Sequence, residues 1–138
     1  MNITYLGTTM LLFDDGKDQI LFDCHVSRPS LLTCLMGRFS TDQQTADRII
    51  QDYQINRLRG IFISHTHHDH VMDAPYFASM CHADIYGSPS AMNVAKVGNI
   101  CEENLHSYAD SMKYDIGHFH IHPLTDRYFT NFLYLSPV

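Results

Sequence analysis

The sequence predicts a single α/β domain over residues 1–138, and three observations predict it. Short apolar runs bounded by turn residues alternate with segments of helical periodicity. Hydrophobic residues make up 45% of the chain and aromatic residues 12%, which is enough for a packed core and excludes a disordered chain. No linker, internal repeat or low-complexity stretch divides it.

In order, residues 1–12 read as a strand through Ile3, Tyr5 and Leu6, with a break at Gly7 before the apolar run 10–13. Asp14-Asp15-Gly16 is a turn signal, and residues 19–23 (QILFD) return from it, so the chain is expected to open as a β-hairpin. Residues 27–39 are ambiguous, punctuated by Pro29 and Gly37. A helix is expected from Ser40 or Thr41, with Gln43 and Gln44 placed as in a capping box and Ala46, Ile49, Ile50 and Tyr53 as its core stripe. Residues 61–64 form a short apolar strand. A second helix starts near Asp73, with Pro75 in its first turn, and ends near His82. Residues 84–86 are a strand. Ser88-Pro89 opens a third helix that Gly98 closes. Residues 114–123 read as one alternating strand, with Phe119 and Ile121 on one face and His118, His120 and His122 on the other. Met72, Met80, Met92 and Met112 read as core gap-fillers.

Charge and cysteine usage narrow the function classes. The formal net charge is −6, so the basic footprint needed for nucleic acid or an anionic membrane surface is missing. No apolar run approaches the ~20 residues of a membrane span. The first sixteen residues lack a basic region and meet Asp14 and Asp15 early, unlike a signal peptide. Cys24, Cys34, Cys81 and Cys101 form no CxxC pair, which suggests a reduced, cytoplasmic chain whose thiols act as small buried hydrophobes. The partners expected are a small-molecule substrate and neither nucleic acid nor membrane.

Histidine carries the chemical signal. Seven of the ten histidines lie in two clusters, at 65–70 and 118–122. In the run IFISHTHHDH, an apolar strand ends at Ser64 and ligand-type side chains begin at once. His65 and His67 are two apart and point the same way in an extended segment, and Asp69 and His70 follow as the chain turns. Imidazole and carboxylate without thiolate suit Zn, Fe, Mn or Ni. The second cluster reads as the polar face of an exposed strand, because three like side chains on one face converge poorly on one ion. The rival reading is a ligand ladder.

The spacing His-x-His-x-Asp-His, met here as His65, His67, Asp69 and His70, resembles the signature of the metallo-β-lactamase superfamily. The opening TYLGTTMLLFDDGKDQILFD resembles that family's first hairpin, with Asp23 at the position of its strand-end carboxylate, and KYDIGHFHI resembles its G-x-F-x-I strand. The resemblance runs over roughly residues 1–124. It implies an αββα sandwich, here incomplete: the first ββα half plus the start of the second. It implies one or two divalent ions, zinc before iron or manganese, with His65 and His67 on the first and Asp69 and His70 on the second. Asp69 is then also the catalytic carboxylate. Asp23 would accept the free ring N–H of a ligand histidine. Metal-bound hydroxide would attack an ester, amide, thioester or phosphodiester. His68 occupies a variable position and is not expected to be a ligand.

The family pattern asks for three more ligands: a later histidine, a bridging aspartate and a final histidine. Tyr128 stands where the first of these belongs, His122 is the nearest histidine, and Asp126 is too early to bridge. His122 and Tyr128 are therefore the extra ligand candidates. The alternative to an enzyme is a truncated or split fragment that binds metal without turnover. Such a half-sandwich would leave one sheet face in water and would associate with itself or with a complementing chain.

Overall fold

The computed structural model describes residues 1–30, 35, 40–108, 113–125 and 130–136. Three strands open it: β1 (Asn2–Gly7), β2 (Met10–Asp14) and β3 (Gln19–Phe22). Both connections are antiparallel hairpins. The Gly7 break is thus a full reversal of the chain, and the expected single hairpin is a three-stranded meander. Gly7 (φ +118°) and Thr8 (φ +52°) take the left-handed backbone that the reversal needs. The next turn is held by its own carboxylates. Asp14 Oδ1 accepts the Gly16 N–H, and Asp15 Oδ1 accepts those of Lys17 and Asp18, each at 2.7 Å.

From β3 onward the sheet is parallel, and helices make the crossovers. Helix α1 (Gln43–Asp52) leads to β4 (Leu58–Phe62). The single turn α2 (His68–Val71) and α3 (Ala74–Cys81) lead to β5 (Asp84–Gly87), and α4 (Pro89–Val97) leads to β6 (Leu105–Ser107). The strand order is β1-β2-β3-β4-β5-β6. The cap of α1 is Asp42, not Ser40 or Thr41: its carboxylate accepts the Thr45 N–H at 3.1 Å and the Thr45 hydroxyl at 2.7 Å. Helix α3 ends on His82 in the left-handed conformation, and α4 starts at Ser88-Pro89 and ends at Gly98.

A second, antiparallel sheet of β7 (Tyr114–Ile116), β8 (Phe119–Thr125) and β9 (Thr130–Ser136) follows. The expected single strand over 114–123 is therefore a hairpin with a two-residue loop, Gly117-His118. The loop shifts the apolar phase by one residue, from Tyr114 and Ile116 to Phe119 and Ile121, which one continuous strand would put on opposite faces. His118 leaves the proposed histidine face: its Nδ1 lies 3.1 Å from Asp18 Oδ2 and 3.4 Å from Asp15 Oδ2. His120 faces Asp115 across the ladder at 2.5 Å.

The first sheet is buried on both faces, in register with its alternation. Leu12, Leu21, Ile61, Ile63 and Ile85 pack with Ala74, Phe77, Ala91 and Ala95 of the helices. Phe13, Ile20, Phe22, Phe62 and Tyr86 pack against Phe119 and Ile121 of the second sheet. The sheet face expected to stand in water is thus covered over β2–β5. The expectation fails because residues 114–125 already supply an apolar face. At β1 the face stays open, with Ile3 58% and Tyr5 65% exposed. Ala46, Ile49 and Ile50 join the core as expected, whereas Tyr53 and Met80 are exposed. Cys24 is buried but Cys101 is exposed, so the four thiols do not share one role, and Cys34 and Met112 lie outside the described residues. Among the described residues no helix is long and apolar enough to cross a membrane.

An ionic latch joins the two sheets. Asp15, Asp18 and His118 bring three ligand-type atoms within 4.8 Å of one another, and Arg59 Nε donates to Asp18 Oδ1 at 2.7 Å. The guanidinium supplies the positive charge that the two carboxylates need. A Cβ on Gly117 would collide with the Asp18 carboxylate, so the latch also requires glycine there. The Arg59 hydrogen bond, against the opposing pull of burial and with help from His118, holds the Asp18 carboxyl below the usual carboxylate range. A depressed folded-state pKa stabilises the fold fully above the unfolded value of about 3.9 and loses that contribution as pH falls through the folded value. Arg59→Gln is therefore expected to start acid unfolding at a higher pH, as followed by circular dichroism. An unchanged acid limb would show that the latch contributes nothing.

Candidate metal centre

Strand β4 ends at Phe62, and its backbone continues through Ile63 and Ser64 into the histidine run. The run does not stay a loop: His68–Val71 close one helical turn, with His67 as its extended N-cap. This turn separates the side chains. His65 and His67 leave extended backbone, and Asp69 and His70 leave the helix.

His65 Nε2 and His67 Nδ1 lie 3.1 Å apart. Two nitrogens bound tetrahedrally to zinc at ~2.05 Å stand about 3.3 Å apart, so the spacing fits a shared ion. The His70 ring packs on the His65 ring with centroids 3.8 Å apart. Burial, then the neighbouring charges of His70 and His67, lower the pKa of His65 and favour the neutral form that has a lone pair to donate.

Asp23 sits at the end of β3 with φ +51°, a strained conformation for a residue with a side chain. Its Oδ2 is 2.7 Å from His70 Nδ1, and its Oδ1 accepts the Ser64 N–H at 2.8 Å. The Ser64 hydroxyl lies 2.8 Å from Asp23 Oδ2 and 3.1 Å from both His65 Nδ1 and His70 Nδ1. A carboxylate only accepts, so the His70 proton belongs on Nδ1, and Nε2 keeps its lone pair for a cation. Asp69 Oδ2 is 3.7 Å from that Nε2. For Asp69, burial pulls the pKa up. The hydrogen bond from its own backbone N–H and the fields of His70, His68 and His25 outweigh that pull, so the pKa is lowered. The donor set and its supports fit a divalent cation.

The extra ligand candidates fare differently. His122 lies on β8 opposite Tyr134, in the second sheet. Tyr128 and Asp126 lie outside the described residues.

Four supports were not legible as such. Ser64 links Asp23 to two histidines, and the Thr9 hydroxyl donates to the Asp69 carbonyl at 2.9 Å. Asp73 is fully buried and does not cap α3, although the helix begins there as expected. Its carboxylate instead accepts the Val26 N–H (2.7 Å), the Ser27 N–H (2.8 Å) and the Ser27 hydroxyl (2.7 Å). His25 lies beneath the motif, its ring edge-on to His68 at 6.0 Å. Burial, opposed by Asp73, holds its pKa below the usual histidine range. An Asp-x-His pair before the histidine run was the available signal for His25.

The comparisons with known proteins bear on the fold. Residues 37–96 match the model of the metallo-beta-lactamase superfamily. The chain has the metallo-β-lactamase fold. It superposes on the metallo-beta-lactamase fold protein YhfI from Bacillus subtilis with TM-score 0.59 at 17% identity, covering 92% of this chain and 50% of that one. The metallo-beta-lactamase SMB-1 gives TM-score 0.63 at 14% identity, with 90% and 50% covered. A metallo-beta-lactamase from Cronobacter sakazakii gives 0.62 at 15%, with 89% and 51% covered. The chain thus spans about half the length of these metallo-β-lactamase-fold structures. No curated protein matches it in sequence.

Proposed function

We propose that this chain carries the metal-binding part of a metallo-hydrolase and that His65, His67, Asp69 and His70 are its ligands, with Asp23 orienting His70. The observation that carries the reading is the loop after β4. There, one imidazole pair lies at metal-ligand spacing, and a second ligand pair has one ring's proton fixed by a carboxylate. A divalent ion, zinc by this nitrogen and oxygen donor set, supplies Lewis acidity toward water and an ester, amide, thioester or phosphodiester substrate. The residues do the positioning. Asp23 and Ser64 hold the His70 and His65 rings, and Asp69, kept ionised, is the group placed to accept a proton from an activated water. A second reading is metal binding without turnover. In either reading a small molecule is the ligand, and a second copy or a complementing chain covers Ile3 and Tyr5.

His67→Ala is expected to lower zinc content, by elemental analysis after equilibration, about 10-fold or more, since a ligand should matter at least as much as its supporting shell. His68→Ala should leave it unchanged. Equal zinc in wild type and His67→Ala would refute the site. Loss in His68→Ala to the level of His67→Ala would refute its register.

A further inference from the structure

We propose that Asp15, Asp18 and His118 hold a second divalent cation, away from the metal centre, and that this ion staples the two sheets together. The three residues come from two places. Asp15 and Asp18 belong to the turn between β2 and β3, and His118 to the two-residue loop between β7 and β8. Asp18 precedes β3 and Asp23 follows it. The cluster and the carboxylate behind His70 therefore stand at opposite ends of that strand, ~16 Å apart at ~3.3 Å per residue.

Each carboxylate has one oxygen fixed and one turned to the imidazole. Asp15 Oδ1 accepts the Lys17 and Asp18 N–H groups, and Asp18 Oδ1 accepts Arg59 Nε, all at 2.7 Å. The Oδ2 atoms of Asp15 and Asp18 lie 3.4 Å and 3.1 Å from His118 Nδ1. Neighbouring ligands of an octahedral ion at ~2.2 Å stand about 3.1 Å apart, so the spacing suits one shared ion.

Hydrogen bonding leaves this cluster short. One ring nitrogen carries one proton at most and cannot serve two carboxylate oxygens. The Asp18 contact is a hydrogen bond, and Asp15 Oδ2 accepts from no other described residue. Within the latch Arg59 alone supplies fixed positive charge, one guanidinium for two carboxylates. Asp18 is 5% exposed, so bulk water does little for its charge. The N–H groups of Asp18 and then Lys17 hold the Asp15 carboxyl below the usual range, and both carboxylates stay ionised. A cation satisfies both Oδ2 atoms and the Nδ1 lone pair at once, with the ring proton on Nε2. Two carboxylates and one imidazole, completed by water, suit manganese. Gly117 lets the loop come this close, since a Cβ there would collide with the Asp18 carboxylate. His118 is half-exposed and Arg59 repels the ion. The site therefore fills from added metal and loses it on equilibration, which keeps it out of the zinc count of the motif variants.

The test titrates manganese into the zinc-loaded, 15N-labelled chain and maps paramagnetic broadening of the amides. Those of Gly16, Lys17, Gly117 and His118 are expected to broaden first, at substoichiometric manganese. In His118→Gln the same broadening should need about 10-fold more manganese or greater. Broadening centred on residues 65–70, or none with manganese in excess, overturns the proposal. So does broadening in His118→Gln equal to that of the wild type. Because the map is made on the wild type, it decides the matter even where His118→Gln does not fold.

Discussion

Asp73→Ala is expected to cost about 4 kcal/mol of folding stability, far beyond the usual substitution. The carboxylate is inaccessible to solvent and accepts three hydrogen bonds, two from backbone N–H groups and one from a hydroxyl. Bonds to a charged group are each worth ~1.5–3 kcal/mol, and the partners left behind are buried donors that water cannot reach. Alanine also frees the loop from Cys24 to Ser27, which is the loop that sets His25 and adjoins Asp23. Both chemical denaturation and bound zinc should therefore fall. Ser27→Ala removes only the hydroxyl and should cost ~1 kcal/mol. A denaturation midpoint for Asp73→Ala close to that of Ser27→Ala would show that the two backbone bonds carry no weight.

Phe62→Ala is expected to cost ~3–5 kcal/mol, the range for deleting a buried ring. Phe62 is fully buried at the junction of the two sheets. Its ring stacks on Phe22 with centroids 5.4 Å apart and on Tyr86 at 4.7 Å, and it lies 6.5 Å from Tyr108. For a domain of this size the loss should lower Tm by roughly 10–20 °C. The measurement also tests the sandwich itself. Were β7–β9 not seated on the first sheet, Phe62 would face water and its removal would cost ~1 kcal/mol or less. A small Tm shift by calorimetry would therefore mean that the two sheets are not packed together.

Much of the architecture could be read from the chain because it is written in local signals. Ser88-Pro89 and Gly98 mark the ends of α4 by capping and by proline's fixed φ, which depend only on neighbours in sequence. Ile61, Phe62 and Ile63 read as a buried strand because no polar residue interrupts them. The histidine run was legible for the same reason: its spacing lies within six residues of one strand end.

What misled was also physical. Residues 119–123 alternate as a strand does, but carried back to Tyr114 and Ile116 the apolar phase shifts by one residue, and that shift and Gly117 were the signals of the reversal. Ser40 and Thr41 are as good caps in sequence as Asp42, and the contact that distinguishes Asp42 is tertiary: its N–H donates to the Ser27 hydroxyl at 2.6 Å.

The sequence by itself determined the strands through residues 19–22, 61–63 and 84–86, the helices α1, α3 and α4, and the identity of the motif's ligand-type side chains. Each follows from periodicity or from neighbours a few residues apart. Tertiary structure alone decided that Asp23 meets His70 across 47 residues, that Asp73 clamps the loop at Val26 and Ser27, and that His25 lies buried beside the motif. These are contacts between β3's end and a helix two crossovers away in the chain. They exist because the parallel pairing of β3 with β4 brings the carboxyl ends of both strands to one edge of the sheet.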